Sequence, residues 1–319
     1  MSLKDLVLAG VALTMAACAA PERDTPEQVG PLNIEGVGDG VYALIGPTEP
    51  RTEENLALNA NYGVVVTDAG AVLIDSGAAP VAAETLHRAV RAVTDQPVKW
   101  VINTGSQDHR WLGNGYFAER GAEIIALERT VATQKDFADR HLPRLERVLG
   151  EEAIAAIEPV HADEPASGDR HRVELGGRTL ELRYFGDAHF PGDAVVWLPE
   201  EEVLFTGDMV YVDRLLGVHP WSDVAAWQEA YHEAMETLAP KTIVPGHGGV
   251  SDPAKVRAET GDYLDFLVEN VGADARAWDP INEVMDRYRD APAFKHLRHF
   301  DDWHPTNMNR TYLQFEGQG

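Results

Sequence analysis

The sequence is poor in cysteine and in basic residues. Cys18 is its one cysteine, so no disulfide can form within the chain. Its 27 lysines and arginines stand against 52 acidic residues, which gives a formal net charge of -25. Nucleic acids and anionic membrane surfaces are bound through basic patches, so we expect neither as a partner. The acidity itself is typical of a chain that stays soluble through its surface charge.

Long apolar runs are also scarce. The run over residues 6–17 is shorter than the ~20 residues that a membrane-spanning helix needs. It suits the apolar part of an export signal, because Ala16 and Ala17 precede Cys18. Residues 1–18 resemble a bacterial lipoprotein signal in which Cys18 becomes the lipid-anchored N-terminus. We therefore expect export to the periplasmic side and membrane contact only through this anchor, with an uncleaved cytoplasmic chain as the alternative.

Strand and helix patterns begin after an acidic, proline-containing segment. Residues 19–35 have the composition of a tether. Beyond it, short apolar runs predict strands, and apolar residues at helical spacing predict helices between them. Strands and helices alternate in two similar halves, which predicts one layered α/β domain over residues 36–252. Residues 253–319 are expected to form a helical C-terminal extension packed on that domain.

Three glycine-rich turns contain residue types that bind metals. His189 lies in Gly-Asp-Ala-His-Phe-Pro-Gly-Asp, Asp208 in Thr-Gly-Asp, and His247 in Pro-Gly-His-Gly. Turns that follow apolar strands are places where side chains from different strands converge. Two imidazoles and one carboxylate form a shell suited to a divalent ion. We therefore expect these three side chains to line one site.

The order and context of these motifs resemble the metallo-β-lactamase superfamily. The similarity covers residues 40–250 and includes the strand ending at Asp75 and the strand that leads into Thr104. It implies an α/β fold, a four-layer αβ/βα sandwich with the metal site at one edge of its two sheets. In that family the equivalent of Asp75 supports the site without binding the metal.

The family's first metal motif, His-x-His-x-Asp-His, is degenerate in this sequence. Aligned without a gap, Gly105 and Gln107 take the places of the first two histidines. His109 then takes the place of the aspartate, and Arg110 that of the last histidine. We prefer this register because both flanking segments fit it. A register shifted by one residue would match Asp108 and His109 to the Asp-His pair.

This degeneracy limits the number of metal ions that the resemblance implies. Without the two upstream histidines, one of the family's two sites has too few ligands, because zinc takes three or four. The other site keeps His109, Asp208 and His247, with Asp108 or His189 as a fourth ligand. We therefore expect one divalent ion at most, which is zinc by default, with iron or manganese as alternatives.

The resemblance and the ligand set favour a metal-dependent hydrolase. Its small-molecule substrate would be an ester, a lactone, a thioester or an amide. Asp108 would orient or deprotonate the attacking water, and Arg110 would bind a substrate carboxylate or sulfate. Two alternatives stay open. An ion pair between Arg110 and Asp208 would seal a dead site in a non-catalytic binding protein, and bound iron would indicate an oxygenase of the same superfamily.

Two further regions bear on substrate binding. The segment 200–225 offers His219 and apolar side chains for a pocket, namely Met209, Tyr211, Leu215, Leu216 and Trp221. The tail contains His296, His299 and His304. We expect these three histidines at the surface or in packing contacts, unless the tail folds over the site.

Overall fold

The computed structural model describes residues 27–316. The predicted signal segment and Cys18 lie outside the described residues. Within the described range, no helix combines the length and the apolarity needed to cross a bilayer.

The strands of the described residues form two sheets. The first sheet has seven strands in chain order: β1 (Gln28–Val29), β2 (Leu32–Gly38), β3 (Val41–Ile45), β4 (Tyr62–Val66), β5 (Ala71–Ile74), β6 (Val98–Ile102) and β7 (Glu123–Ile125). The second sheet has the order β12-β11-β10-β9-β8, formed by β8 (Arg170–Leu175), β9 (Arg178–Arg183), β10 (Val195–Leu198), β11 (Val203–Phe205) and β12 (Thr242–Val244).

Helices occupy the connections and the C-terminal part. They are α1 (Pro80–Val93), α2 (Asp108–Trp111), α3 (Asn114–Ala118), α4 (Glu128–Leu149), α5 (Glu151–Ala155), α6 (Val224–Leu238), α7 (Pro253–Val256), α8 (Asp262–Phe266), α9 (Gly272–Arg276), α10 (Ile281–Tyr288) and α11 (Phe300–Phe315). The segments α7, α8 and α9 are joined by wider helical turns at Arg257–Gly261 and Leu267–Val271.

Parallel strand pairs bring chemically important turns to one edge of each sheet. Most neighbours are antiparallel, but β5, β6 and β7 are parallel, as are β11 and β12. A parallel pair needs a crossover, which α1 provides between β5 and β6. Proline at the first position of α1 favours the start of that helix, because the missing N–H would have no helical partner there. The carboxyl ends of neighbouring parallel strands therefore lie side by side.

The two sheets pack face to face with helices outside each, which confirms the predicted four-layer αβ/βα sandwich. Successive strand residues point to opposite faces. Val65 of β4 joins a core shared with Phe205 of the second sheet, whereas Val64 packs with Leu86 of α1 on the outer face. On the far side Trp227 of α6 packs on the second sheet. Burial on both faces explains why the central strands are almost wholly apolar.

The chain enters the first sheet earlier than the composition predicted. Residues 28–29 and 32–35, assigned above to a tether, lie in β1 and β2, and Ile34 of β2 pairs with Leu44 of β3. The prediction was wrong for these residues because an edge strand gains its backbone hydrogen bonds from its neighbour and needs no continuous apolar run.

The C-terminal helices pack on the second half of the sandwich. Phe300, Met308 and Tyr312 of α11 share a core cluster with Leu216. Gly217 permits the closest approach, because a Cβ at that position would lie 1.5 Å from the Trp303 ring. The extension thus lies directly against the loop that follows Asp208.

Candidate metal centre

Three polar side chains meet where strands of the two sheets end. His109 lies on α2, which follows β6. Asp208 lies in a helical turn just after β11, and His247 follows β12. Because β11 and β12 are parallel, their carboxyl ends are neighbours, and the packing of the two sheets brings the end of β6 to the same place. The sequence therefore places these residues together through strand ends that are far apart along the chain.

His109, Asp208 and His247 form a buried cluster that can hold a metal ion. The Nε2 atom of His109 lies 3.2 Å from Asp208 Oδ2, and the Nε2 atom of His247 lies 3.1 Å from Asp208 Oδ1. One ligand atom from each residue lies within 4.8 Å of the other two. Three protein ligands with room for another molecule are the usual arrangement of a catalytic zinc site.

The protonation of His247 provides a test of whether this cluster suits a cation. Its Nδ1 atom lies 2.7 Å from the carbonyl oxygen of Asn59, so Nδ1 carries the hydrogen and donates it. Burial lowers the pKa of His247 to about 3, so the ring is neutral at pH 7 and Nε2 has only a lone pair. That lone pair faces a carboxylate oxygen of Asp208. Two acceptors at this distance repel each other unless a cation lies between them.

Zinc geometry agrees with this arrangement. With Zn–N and Zn–O bonds of about 2.0–2.1 Å, a tetrahedral ion separates two ligand atoms by about 3.3 Å. The Nε2 atoms of His109 and His247 lie 3.4 and 3.1 Å from the same oxygen, Asp208 Oδ1, and both separations are close to that value. The donor set therefore fits a divalent metal of the kind that imidazole and carboxylate prefer.

His109 is oriented from behind by its neighbours. Its Nδ1 atom lies 3.3 Å from Asp108 Oδ1 and also contacts the Arg51 guanidinium. Arg51 has only N–H donors, so its contact makes Nδ1 an acceptor, whereas the hydrogen bond to Asp108 makes Nδ1 the donor. In the second tautomer Nε2 presents its lone pair to the cluster, as metal-binding histidines do when a carboxylate supports them. Arg51 in turn donates to Asp108 Oδ2 at 2.5 Å.

This arrangement corrects the role predicted for Asp108. The side chain is buried, pairs with Arg51 and does not line the cavity described below. Burial alone would raise its pKa, but Arg51 and His109 hold the pKa of Asp108 well below its usual range. Asp108 is therefore a charged supporting group and not the residue that handles the attacking water. Adjacent residues on a helix point in different directions, so the Asp108 carboxylate meets Arg51 while the His109 ring borders the cavity.

Arg110 forms the ion pair with Asp208 that the sequence analysis considered. Its Nη2 and Nε atoms donate to the two Asp208 oxygens at 2.6 and 3.2 Å. Nη1 donates to Asp75 at 3.0 Å and to the Asn61 carbonyl at 2.9 Å, and Nη2 also donates to the Gly246 carbonyl at 3.2 Å. All donors of the guanidinium are thus engaged.

Arg110 is therefore not available to a substrate. Its side chain is 1% exposed and does not line the cavity, so the predicted substrate-binding role was wrong. The ion pair also does not exclude His109 and His247, which reach the same Asp208 carboxylate. Burial alone would raise the pKa of Asp208, but Arg110 and His109 hold it well below its usual range. Asp208 consequently keeps the negative charge that a metal ligand needs.

His189 lies beside the cluster and is not part of it. Its Nε2 atom lies 3.0 Å from Gln107 Oε1, and burial lowers its pKa to about 3. The neutral ring therefore donates to Gln107, which stands where the family has a histidine. A Cβ at Gly105, the other degenerate position, would lie 2.7 Å from Asp193 Oδ1. The prediction of His189 as a metal ligand is thus corrected: it is a site-lining histidine bound to an amide.

A cavity of about 230 Å³ opens onto the cluster. His109, His189 and His247 border it, together with residues that no motif indicated. Those lining residues are Pro50, Arg51, Asn59, Arg144, Arg214, His299 and Trp303. Most lie in irregular segments or on α4 and α11. In these segments composition and periodicity predict only a loop or a helix and do not indicate a binding site.

The apolar segment 200–225 contributes less to this cavity than expected. Tyr211 and His219 line it, and the Tyr211 ring stacks on His247 with centroids 4.6 Å apart. The rest of the predicted set lies elsewhere: Met209, Leu215 and Leu216 are in the core, and Trp221 packs on Phe190 and His219.

The tail does fold over the site. His299, the residue just before α11, lines the cavity, and so does Trp303 in the first turn of that helix. His304 is a packing residue, with its ring nitrogens at the Tyr263 hydroxyl and the Tyr288 carbonyl. His296 is exposed. The expectation of surface or packing positions therefore holds for His296 and His304, whereas His299 lies over the site.

Comparison with known proteins identifies the family to which this fold belongs. The family model described as "Metallo-beta-lactamase superfamily" matches residues 56–247. "Metallo-beta-lactamase type 2" of Bacteroides fragilis is 26% identical over 225 residues, which cover 68% of this chain and 79% of that protein. The "2,4-dinitroanisole O-demethylase subunit alpha" of a Nocardioides strain is 26% identical over 156 residues, or 48% of this chain and 42% of that protein.

Solved structures show the same architecture. A metallo-beta-lactamase from Pontibacter korlensis superposes with a TM-score of 0.60 at 22% identity, over 73% of this chain and 99% of that one. At this identity the likeness shows the fold alone. Because the family model spans more than half of the sequence and ends at a residue of the cluster, the chain belongs to the metallo-beta-lactamase superfamily.

Proposed function

We propose that this chain is a metal-dependent hydrolase that binds a single divalent ion through His109, Asp208 and His247. Zinc is the expected ion. The substrate is an ester, a lactone, a thioester or an amide. The observation that carries the proposal is the buried cluster itself, in which Nε2 of His109 and Nε2 of His247 both approach the Asp208 carboxylate while Nδ1 of His247 donates to the Asn59 carbonyl.

The ligand residues divide the work of holding the ion. His109 and His247 supply imidazole nitrogens, and Asp208 supplies one negative charge. The Asn59 carbonyl fixes the tautomer of His247, and Arg110 fixes both oxygens of Asp208. A divalent ion held there supplies Lewis acidity, which polarises a carbonyl group and lowers the pKa of water. Residues that hold ligands in one orientation raise the affinity of such sites.

The remaining residues shape the space in which hydrolysis occurs. Tyr211 stacks on His247 and closes the cavity on that side. His189 and Gln107 form a neutral hydrogen-bonded pair where the family has its second metal. Trp303 and His299 reach the cavity from the C-terminal extension. A substrate is thus bound between the metal ligands on one side and, on the other, Trp303 and His299, which lie outside the matched family segment.

The relatives do not decide the substrate. Two of the proteins above are metallo-beta-lactamases and one is an O-demethylase subunit. A fold that hosts different reactions gives no substrate by likeness. The degenerate first motif argues against β-lactam hydrolysis by a two-metal mechanism, because Gly105 and Gln107 offer no imidazole.

The test is hydrolysis by the full chain reconstituted with zinc. The panel consists of p-nitrophenyl acetate, γ-butyrolactone, an acetyl thioester and nitrocefin as the β-lactam. We expect turnover of at least one carbonyl substrate that disappears in the chelated protein and in His247→Ala. Hydrolysis that survives both changes contradicts the proposal. A chain that binds none of zinc, iron and manganese supports the non-catalytic alternative, and oxygen consumption by an iron-loaded chain supports the oxygenase.

A further inference from the structure

The charges around the cavity are opposite in sign to those of the whole chain. The protein has a formal net charge of -25, yet the charged side chains that line this cavity are arginines, Arg51, Arg144 and Arg214. No aspartate or glutamate lines the cavity in the part of the chain that the structure describes. A concave site with one sign of charge raises the local concentration of ligands of the opposite sign.

Only one of these three arginines has an acidic partner. Arg51 is paired with Asp108. Among residues 27–316, neither Arg144 nor Arg214 has a carboxylate within ion-pair distance. In a protein with about twice as many acidic as basic residues, two unpaired arginines at one cavity require an explanation.

Arg214 is the more informative of the two because it is buried. Its relative exposure is 5%, and its Nε–H has no hydrogen-bond partner. Its Nη1 atom lies 3.5 Å from His247 Nδ1, but that nitrogen already donates its hydrogen to Asn59 and offers no lone pair. A buried guanidinium with an unused donor is costly unless an anion completes its hydrogen bonds.

Aromatic rings keep Arg214 in place while leaving its donors free. The guanidinium carbon lies 5.3 Å from the centre of the Trp303 ring and 5.9 Å from that of Tyr211. Cation–π contacts of this kind stabilise a positive charge without using its N–H groups. Because all three residues line the cavity, the guanidinium lies at the wall of a space that a ligand can enter.

We propose that the substrate has an oxyanion group, a carboxylate or a sulfonate-like group, which Arg214 binds with Arg144 assisting. The proposal rests on the proposed hydrolase function and specifies its substrate class. It transfers to Arg214 the role that the sequence suggested for Arg110. Trp303 belongs to the C-terminal extension, so this part of the pocket lies beyond the segment 56–247 that the family model matches.

The test compares three probes of nearly equal shape, namely benzoate, benzenesulfonate and neutral benzamide. Their dissociation constants are measured by calorimetry with the full chain, once after chelation and once with zinc. We expect at least one anion to bind about 10-fold or more tightly than benzamide in both states, as one charged hydrogen-bonding group predicts. The preferred anion distinguishes a carboxylate site from a sulfonate site.

Two variants locate the effect. Arg214→Met should remove the preference for the anion and leave benzamide binding unchanged, and Arg214→Lys should retain part of it. Arg147→Met is the control for the loss of one positive charge, because Arg147 is exposed and does not line the cavity. Should Arg214→Met fail to fold, the comparison of Arg214→Lys with the natural chain decides.

The outcomes separate this proposal from the proposed function. Equal affinity for all three probes, or an anion preference that survives Arg214→Met, overturns the anion site. Hydrolysis of neutral esters by the zinc-loaded chain without a preference for the anionic probes supports the hydrolase function and contradicts the anion site. A preference for the anionic probes in a chain that binds no metal supports the anion site and contradicts the hydrolase function.

Discussion

Arg110 forms a bidentate ion pair with Asp208, and His109 and His247 approach the same Asp208 carboxylate. The Arg110 nitrogens lie 2.6 and 3.2 Å from the two Asp208 oxygens, and the imidazole nitrogens lie 3.1 and 3.2 Å from them. Asp208 is thus an anchor for the fold and a ligand for the metal centre at once.

Removal of the Arg110 guanidinium should destabilise the fold. Arg110→Met leaves Asp75 and Asp208 as buried carboxylates without a counter-charge, which costs about 3–5 kcal/mol. The free energy of unfolding in urea measures this. Arg147→Met, an exposed change, should stay within about 0.5 kcal/mol of the natural chain. Equal stability of the two variants would show that the buried pair has no structural role.

Metal binding should depend on His247 and not on His189. His247→Ala removes a ligand, so its zinc affinity should fall by more than the ~10–100-fold that loss of a supporting partner costs. His189→Ala should change zinc affinity little, because its Nε2 is bound to Gln107. Competition with a chromophoric chelator gives both constants. If His189→Ala loses zinc as fully as His247→Ala does, the ligand set assigned here is incorrect.

Asp108 should act on the metal through His109. Asp108→Asn keeps the shape of the side chain but weakens the acceptor for the His109 ring, which lies 3.3 Å away. We expect zinc affinity about 10–100-fold lower, the usual effect of a lost carboxylate behind a ligand histidine. Asp136→Asn is the control, since this residue is exposed on α4. An unchanged affinity in Asp108→Asn would argue that Arg51 alone orients the ring.

Gly217 should determine the position of Trp303. In Gly217→Ala the new Cβ would overlap the indole ring, so the ring or α11 must move at a cost of about 1–3 kcal/mol. Urea unfolding gives the free energy, and a changed tryptophan emission spectrum is expected because Trp303 lines the cavity. Gly36→Ala, where a Cβ meets nothing within 4 Å, is the control. Identical behaviour of the two alanine variants would contradict the packing described here.

The fold and the metal cluster could be predicted because both depend on strand ends. Apolar runs mark the strands, and the glycine-rich turns after them carry Asp208 and His247, so their convergence follows from the sheet order. The same pattern could not separate the roles of Asp108, His109 and Arg110. On a short helix three consecutive side chains point to three different partners, here Arg51, the cluster and the Asp75–Asp208 pair.

The cationic side of the cavity could not be predicted. Arg51 lies 58 residues before His109 in an irregular loop, and Trp303 lies in a helix beyond the matched family segment. Such contacts depend on how loops and the extension fold back onto the sandwich, and no local period or spacing records that. Arg214 gives no signal in the sequence either, because its unpaired donors become evident only when its neighbours are known.

The metal content of the purified full chain tests the central claim most directly. The chain is dialysed against excess zinc, freed of loose ions by gel filtration and measured by plasma mass spectrometry against protein concentration. One zinc ion per chain is the predicted result, because His109, Asp208 and His247 form one complete ligand set and Gln107 occupies the remaining histidine. A chain that retains no zinc, or two zinc ions, contradicts the account.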